Sequence, residues 1–185
     1  MHAVIISPHT LKSHGDLLTA MFRERHRVFI QEKGWELPEE GDLEFDQYDT
    51  PQSRWVVITE TGKQVIAGFR LTPTTAKCAA YSYMIRDAQR GLLHTIPETL
   101  LTKEAPVSEE IWECTRAFVS LDAPDKAAAR RALISAFIPA VREVGGERLI
   151  TLTHKLWPRW TRMYGLVGLP LGPVVKIDGE PFQVV

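Results

Sequence analysis

The sequence has 185 residues, of which 44% are hydrophobic and 24% charged, and its net charge is -1. This length suits a single domain over residues 1–185 with a sizeable core, and the near-neutral charge argues against nucleic acid or a membrane as partner. The two cysteines have no metal-binding spacing and favour a reducing cytoplasm, and no apolar stretch is long enough for a signal peptide or a bilayer span.

The N-terminal part is predicted to form a strand over 3–7 and an amphipathic helix over 13–33. Ser13, followed three residues later by Asp16, predicts the start of this helix. One face of the helix contains Arg25, and its other residues are hydrophobic: Leu18, Met21, Phe22, Val28 and Phe29. A guanidinium is costly to bury unpaired, so Arg25 needs a carboxylate partner or a charged ligand.

A long acidic loop is predicted after this helix, over residues 36–52. Residues 32–49 carry eight acids and one lysine, whereas residues 126–162 carry eight basic residues and two acids. This asymmetry favours a cationic substrate at one place and an acidic partner at another, and two oppositely charged solvated faces are the alternative. For Arg25 alone, a structural ion pair with one of the loop acids is the simpler interpretation.

The central part is predicted to contain a hairpin over 53–73 and a strand over 112–120. In the second hairpin strand, Gly68 and Arg70 share a face, and a strand glycine often marks a bulge or the close approach of a ligand. The alternative interpretation of Arg70 is an arginine exposed to solvent on the surface of the strand. In the strand 112–120, Glu113 and Arg116 point to opposite faces unless a bulge redirects one of them.

The remaining elements alternate between helices and strands, which indicates an α/β (α+β) mixed sheet with helices on its faces. They are weak helices over 85–93 and 97–101, a helix over 126–144, a strand over 147–153, a short helix from Pro158 to near Gly165, and a C-terminal hairpin on Asp178-Gly179.

Four short motifs occur in order along the chain. They are R-x-x-x-F-x-x-x-x-x-W (Arg25, Phe29, Trp35), E-x-D-x-x-D (Glu44, Asp46, Asp49), F-R-L-x-P-T (residues 69–74) and W-E-x-T-R (residues 112–116). Each motif alone is weak, but in this order and spacing the chain resembles the acyl-homoserine-lactone synthases, the LuxI-type autoinducer synthases, over about residues 15–165.

The resemblance implies an acyltransferase-like fold akin to the N-acetyltransferases, with a V-shaped cleft where two strands of the mixed sheet splay. It also implies two substrates, S-adenosylmethionine and an acyl chain carried by acyl carrier protein or as acyl-CoA. The products are the quorum-sensing signal, an N-acyl-homoserine lactone, together with methylthioadenosine and the free carrier. No metal and no cofactor are expected.

The resemblance also implies roles for individual residues. Glu113 is the expected general base, Thr151 is expected to face the acyl chain, and a basic face is expected to dock the carrier through Lys155, Arg159 and Arg162. The S-adenosylmethionine site is expected to contain Arg25, Phe29, Trp35, Asp46, Asp49, Arg70 and Arg116. These residue types suit the substrate, because its cationic groups need carboxylates and aromatic rings and its carboxylate needs a guanidinium.

Two other functions fit parts of the sequence. A coenzyme-A-dependent N-acetyltransferase needs a glycine-containing phosphate loop before the long helix, but residues 122–130 contain no glycine. A single-strand nucleic-acid-binding module fits the basic and aromatic residues of 155–160, but the acidic loop and the near-neutral charge argue against it.

Overall fold

The computed structural model describes residues 1–185. The strands are β1 His2–Ile6, β2 Glu39–Glu40, β3 Leu43–Glu44, β4 Arg54–Thr59, β5 Ala67–Pro73, β6 Ile111–Val119, β7 Arg148–Ile150, β8 Leu152–His154, β9 Val175–Ile177 and β10 Glu180–Val184. The helices are α1 Leu11–Arg25, α2 Met84–Gln89, α3 Lys126–Glu143 and α4 Trp157–Thr161. None of the helices combines the length and the hydrophobicity that crossing a membrane requires.

The central sheet has five strands in the order β1-β4-β5-β6-β7, and a second sheet has the order β8-β10-β9. Alternate residues of β4 enter different cores: Trp55 and Val57 pack with α1, whereas Val56 and Ile58 pack with α3. The mixed sheet with helices on both faces is therefore confirmed, and the period of two in β4 places one core on each side of the sheet.

The first helix begins earlier than predicted, at Leu11, so the prediction of an N-terminal cap at Ser13 was wrong. A turn between Ser7 and Thr10 starts the helix instead, because the Ser7 amide donates to Thr10 Oγ1 at 2.9 Å and Thr10 Oγ1 donates to the Ser7 carbonyl at 3.2 Å. The helix continues after Arg25 as π-helical turns over His26–Glu32. It ends at Gly34, as predicted, with a φ of 67° that favours glycine.

A β-bulge lies where β5 and β6 pair. Gly68 is opposite Phe118 but Arg70 is opposite Thr115, so β6 contains one residue more than β5 in this interval. Arg116 lies in the bulge and has a φ of 53°. The close approach predicted at Gly68 is made by the protein itself, because a Cβ atom there would lie 3.0 Å from the Val56 carbonyl oxygen and 3.1 Å from the Phe118 ring.

The predicted strand over 147–153 is divided at Thr151. β7 runs parallel to β6 for three residue pairs, from Ile111 opposite Arg148 to Glu113 opposite Ile150. β8 then leaves β6 and pairs with β10 in the second sheet. Two neighbouring strands therefore splay beside β6, at the place where the resemblance implied a cleft.

The long helix predicted over 126–144 is confirmed as α3, whereas the two weak helices before it are shorter than predicted. α2 ends at Gln89, earlier than the predicted residue 93, and the segment over 97–101 is a single 3-10 turn, Glu98–Leu100. The C-terminal hairpin, β9–β10, is confirmed, and its turn has positive φ values at Asp178 and Gly179.

Candidate active site

Three arginines from three segments, two of them completely buried, meet three carboxylates of the acidic loop. Arg25 comes from the end of α1, Arg70 from β5 and Arg116 from the bulge in β6. The carboxylates belong to Glu44, Asp46 and Asp49, all on or just after β3. We call these six residues the arginine–carboxylate cluster, and its charges sum to zero.

Arg25 is completely buried and is satisfied by two carboxylates. Its Nη1 and Nη2 donate to the two oxygens of Asp49, each at 2.9 Å, and its Nε donates to Glu44 Oε2 at 2.5 Å. Trp55 Nε1 also donates to Asp49, at 2.7 Å. These contacts fit the simpler interpretation of Arg25, a structural ion pair that joins the first helix to the acidic loop.

Arg70 and Arg116 share the carboxylate of Asp46, and each also contacts one of the two acids that Arg25 binds. Arg70 donates to both oxygens of Asp46 and its Nη1 lies 2.8 Å from Asp49, while its Nε donates to Thr115 Oγ1 at 3.1 Å. Arg116 lies 2.9 Å from Asp46 through Nη2 and donates to Glu44 Oε1 at 3.1 Å. Only Arg116 among the three arginines keeps some exposure, with 11% of its side chain accessible.

The bulge explains how Arg116 reaches this cluster. Arg70, Thr115 and Glu113 share one face of the sheet through the antiparallel pairing of β5 with β6. In a regular strand Arg116 would point to the opposite face, but at the bulge its side chain reaches Asp46, which Arg70 also contacts. The alternative that the sequence left open, a bulge that redirects one residue, is therefore the one observed.

Glu44 was missing from the set of predicted site residues, although it belongs to the E-x-D-x-x-D motif. It is completely buried and links Arg25 to Arg116. The motif itself could have identified Glu44. The motifs contain three arginines, and Asp46 and Asp49 supply only two carboxylates, so the third acid of the same motif is the expected partner of the third arginine.

The charges of the cluster hold the pKa values of Asp46 and Asp49 well below the ordinary aspartate range. Burial alone would raise both pKa values, but Arg70 with Arg116 outweighs it at Asp46 and Arg70 with Arg25 outweighs it at Asp49. Both carboxylates are therefore ionised at neutral pH and stabilise the fold as anions.

Acid is expected to destabilise the protein through these two aspartates. Because their pKa values are lower in the folded than in the unfolded protein, their stabilising contribution is complete above the unfolded value of about 3.9 and is lost as pH falls below it. The urea concentration at the unfolding midpoint should fall between about pH 4.5 and pH 2.5. Asp49→Asn should weaken the dependence of the urea midpoint on pH, whereas Asp42→Asn, at an exposed aspartate, should leave most of this dependence in place. Equal acid dependence in Asp49→Asn and the unmodified protein would contradict the assignment.

Glu113 is completely buried on the same face of the sheet as Arg70, and its carboxylate accepts two backbone hydrogen bonds. Met84 N donates to Oε2 at 3.0 Å and Ile85 N donates to Oε1 at 2.7 Å, at the first turn of α2. Burial raises the pKa of Glu113 to about 7, although these two amides and Arg70 lower it. A carboxylate that titrates near neutral pH has the pKa that suits a general base.

Two aromatic rings of the predicted site stack at the end of the first helix. Phe29 and Trp35 have ring centroids 5.2 Å apart and nearly parallel planes, at 7°. Phe29 is buried, Trp35 is partly exposed, and the guanidinium carbon of Arg116 lies 5.8 Å from the Phe29 centroid. The Lys33 ammonium lies 4.6 Å from the centroid of the Trp35 ring, so this pair of rings already holds a cation in the protein itself.

The residues predicted to contact the acyl chain and its carrier come later in the sequence than those of the arginine–carboxylate cluster. Thr151 lies at the break between β7 and β8, and its hydroxyl donates to the Cys114 carbonyl at 2.9 Å. The predicted basic residues Lys155, Arg159 and Arg162 are all exposed. They do not share one helical face, because Lys155 precedes α4 and Arg162 begins a 3-10 turn after it.

Comparison with known proteins identifies the family. The family model described as autoinducer synthase matches residues 8–144. The chain belongs to the autoinducer synthase family. This autoinducer synthase is 31% identical over 169 residues to an acyl-homoserine-lactone synthase of Ralstonia solanacearum, with 88% of this chain and 77% of the relative covered.

Solved structures agree with this assignment. TofI, in a ternary complex with an inhibitor and MTA, has a TM-score of 0.76 and 26% identity, with 100% of this chain and 89% of that chain covered. BjaI, a CoA-dependent acyl-homoserine lactone synthase solved with SAM and isopentyl-CoA, has a TM-score of 0.80 and 24% identity, with 99% and 81% covered, and shows the shared fold. The predicted acyltransferase-like fold and the acyl-homoserine-lactone synthase interpretation are confirmed, ahead of the coenzyme-A-dependent N-acetyltransferase.

Proposed function

We propose that this autoinducer synthase transfers an acyl chain from a thioester carrier to the amine of S-adenosylmethionine and then closes the lactone with release of methylthioadenosine. The observation that carries the proposal is the position of Glu113, a buried carboxylate with a pKa of about 7, on the sheet face that also presents the arginine–carboxylate cluster. The match to the autoinducer synthase family supplies the reaction class.

Glu113 is the general base of the proposed reaction. It takes a proton from the substrate amine, directly or through a water molecule, and the freed amine attacks the thioester carbonyl. The carrier leaves as a thiol. Lactone closure then needs the substrate carboxylate to displace methylthioadenosine, a step that depends on positioning more than on a second base.

The S-adenosylmethionine site is proposed to use the cluster in two ways. Arg25 and Arg70 are completely buried and paired, so they hold Asp46 and Asp49 in place. Arg116 keeps some exposure and lies beside Phe29, so we assign it to the substrate carboxylate. The partly exposed Trp35, stacked on Phe29, is the proposed wall for the sulfonium and adenosyl groups.

The acyl donor is proposed to enter through the cleft beside β6. Thr151 lies at the point where β8 separates from β6, which supports a role near the acyl chain. Lys155, Arg159 and Arg162 are exposed cations that suit an acidic acyl carrier protein. BjaI, a relative with the same fold, holds isopentyl-CoA, which supports acyl-CoA as the other donor class.

The reaction is proposed to take place in the cytoplasm without a metal or a cofactor, and the absence of both stays a prediction. The location is inferred from the cysteines, because Cys78 and Cys114 are both free thiols and a reducing compartment keeps them so.

Purified protein given S-adenosylmethionine and an acyl donor is expected to release methylthioadenosine. The measurement is chromatography of the nucleoside product with a panel of acyl-carrier-protein and acyl-CoA thioesters, and mass spectrometry of the lactone gives the chain length. A reaction without donor is the control, because lactone closure should follow acylation. If no donor in the panel supports release of methylthioadenosine, the proposed function is contradicted.

A further inference from the structure

The side chain of Thr72 has a buried hydroxyl that no protein atom satisfies. Thr72 is 1% exposed, and its Oγ1 has no hydrogen-bond partner in the protein. Nearby threonines differ, because Thr74 Oγ1 donates to the Ser108 carbonyl at 2.8 Å and Thr115 Oγ1 accepts from Arg70. A buried hydroxyl without a partner costs stability, so its presence beside a functional site calls for a ligand or a water molecule.

Thr72 lies directly opposite Glu113 in the pairing of β5 with β6. Side chains at such positions share a face, and their Cβ atoms are about 4.5–5.5 Å apart. The Glu113 carboxylate uses two acceptor positions for the amides of Met84 and Ile85, out of about four that a carboxylate has. An unsatisfied hydroxyl therefore lies beside a carboxylate that has acceptor positions left.

We propose that Thr72 positions a water molecule between the amine of S-adenosylmethionine and Glu113. Such a water has three polar partners, the Thr72 hydroxyl, a Glu113 oxygen and the amine nitrogen, which is the number that ordered buried waters usually have. Oxygen–oxygen hydrogen bonds of about 2.8 Å allow one water to bridge the hydroxyl and the carboxylate. This inference rests on the proposed function and adds a positioning residue to it.

The proposed proton transfer balances without another reactant. The water accepts a proton from the substrate ammonium and gives one of its own protons to Glu113, which becomes a neutral carboxylic acid. The nitrogen lone pair then forms the bond to the thioester carbonyl carbon. When the carbon–sulfur bond breaks, a second proton leaves the nitrogen through the water for the sulfur, which departs as a thiol, and Glu113 releases the first proton to solvent.

The test compares Thr72→Val with Thr72→Ser. Valine keeps the shape of threonine and removes the hydroxyl, so kcat for methylthioadenosine release should fall about tenfold or more. The KM for S-adenosylmethionine should stay within about twofold, because Thr72 acts on the proton transfer rather than on binding. The rise of activity with pH should move to higher pH, since the water no longer stabilises the Glu113 anion. Serine should restore most of kcat.

A matched control is Thr59→Val, at the far end of β4. Thr59 is also buried, but its Oγ1 accepts a hydrogen bond from the Gly62 amide at 3.0 Å. Thr59→Val should lower the melting temperature and leave kcat unchanged, whereas Thr72→Val should lower kcat without lowering the melting temperature, because it removes a hydroxyl that has no partner in the protein.

Two results would overturn the inference. In the first, Thr72→Val keeps the kcat of the unmodified protein, which would show that the unpartnered hydroxyl has no role in the reaction. In the second, valine and serine lower kcat equally, which would assign the effect to packing. Both are read against active unmodified protein, so they differ from a failure of the proposed function, in which the unmodified protein itself releases no methylthioadenosine.

Discussion

Replacement of Glu113 by glutamine is expected to lower the turnover of acyl transfer by about 100- to 10,000-fold, the range that a positioned general base contributes. Glutamine has the shape of glutamate but cannot accept the amine proton. The measurement is kcat for methylthioadenosine release at saturating S-adenosylmethionine. The same loss should appear in kcat/KM, because the base acts in the transition state more than in substrate binding.

The glutamine variant is expected to remain folded. Burial raises the pKa of Glu113 to about 7, so ionising this carboxylate at neutral pH costs stability in the folded protein. Glutamine removes that cost, while it loses one of the two acceptors that hold the amides of Met84 and Ile85. These two effects oppose each other, so the melting temperature should change by only a few degrees.

The pH dependence provides a second measurement on the same pair of proteins. Glu113 acts as a base only when ionised, so the activity of the unmodified protein should rise as pH increases through about 7. The residual activity of Glu113→Gln should lack this step. Glu110→Gln is a suitable control, because Glu110 is an exposed glutamate just before the same strand and should change neither the rate nor the step. Full activity in Glu113→Gln would assign the base to another residue.

Much of the fold could be predicted because its signals are local. The alternation of side chains along β4 places Val56 and Val57 in different cores, and the glycine at position 34 ends the first helix. The errors are at element ends, where competing hydrogen bonds decide. The turn between Ser7 and Thr10 moves the start of α1 ahead of Ser13, and no pattern in the sequence predicts that turn more strongly than the capping box.

Most residues of the site could be predicted from the sequence, but the ion pairs between them could not. The predicted site contained the three arginines and two of the three carboxylates, yet which arginine pairs with which acid depends on the bulge at Arg116. This bulge has no signature in the sequence, because neither Arg116 nor Ala117 is a residue type that favours a bulge. The unpartnered hydroxyl of Thr72 is likewise visible only when the contacts of the whole sheet are known.

Replacement of Arg25 by methionine is expected to destabilise the protein by about 3–5 kcal/mol, the cost of leaving one side of a buried ion pair uncompensated. Arg25 is the partner of both Asp49 oxygens and of Glu44, and no water replaces it because its side chain is completely buried. In a protein of this size the melting temperature should fall by about 6–20 °C. Thermal unfolding followed by circular dichroism measures this change.

Arg23→Met is the matched control for this prediction, two residues earlier in the same helix. Arg23 pairs with Asp42, but both side chains are at least half exposed, so water replaces the lost contact and the melting temperature should change little. The comparison also separates two roles of Arg25. If Arg25→Met unfolds at the temperature of the unmodified protein and instead raises the KM for S-adenosylmethionine, then Arg25 binds substrate and the structural interpretation is wrong. If the two variants have equally lowered melting temperatures, burial does not explain the loss of stability in Arg25→Met. The exposed pair of Arg23 with Asp42 would then contribute as much stability as the buried contacts of Arg25.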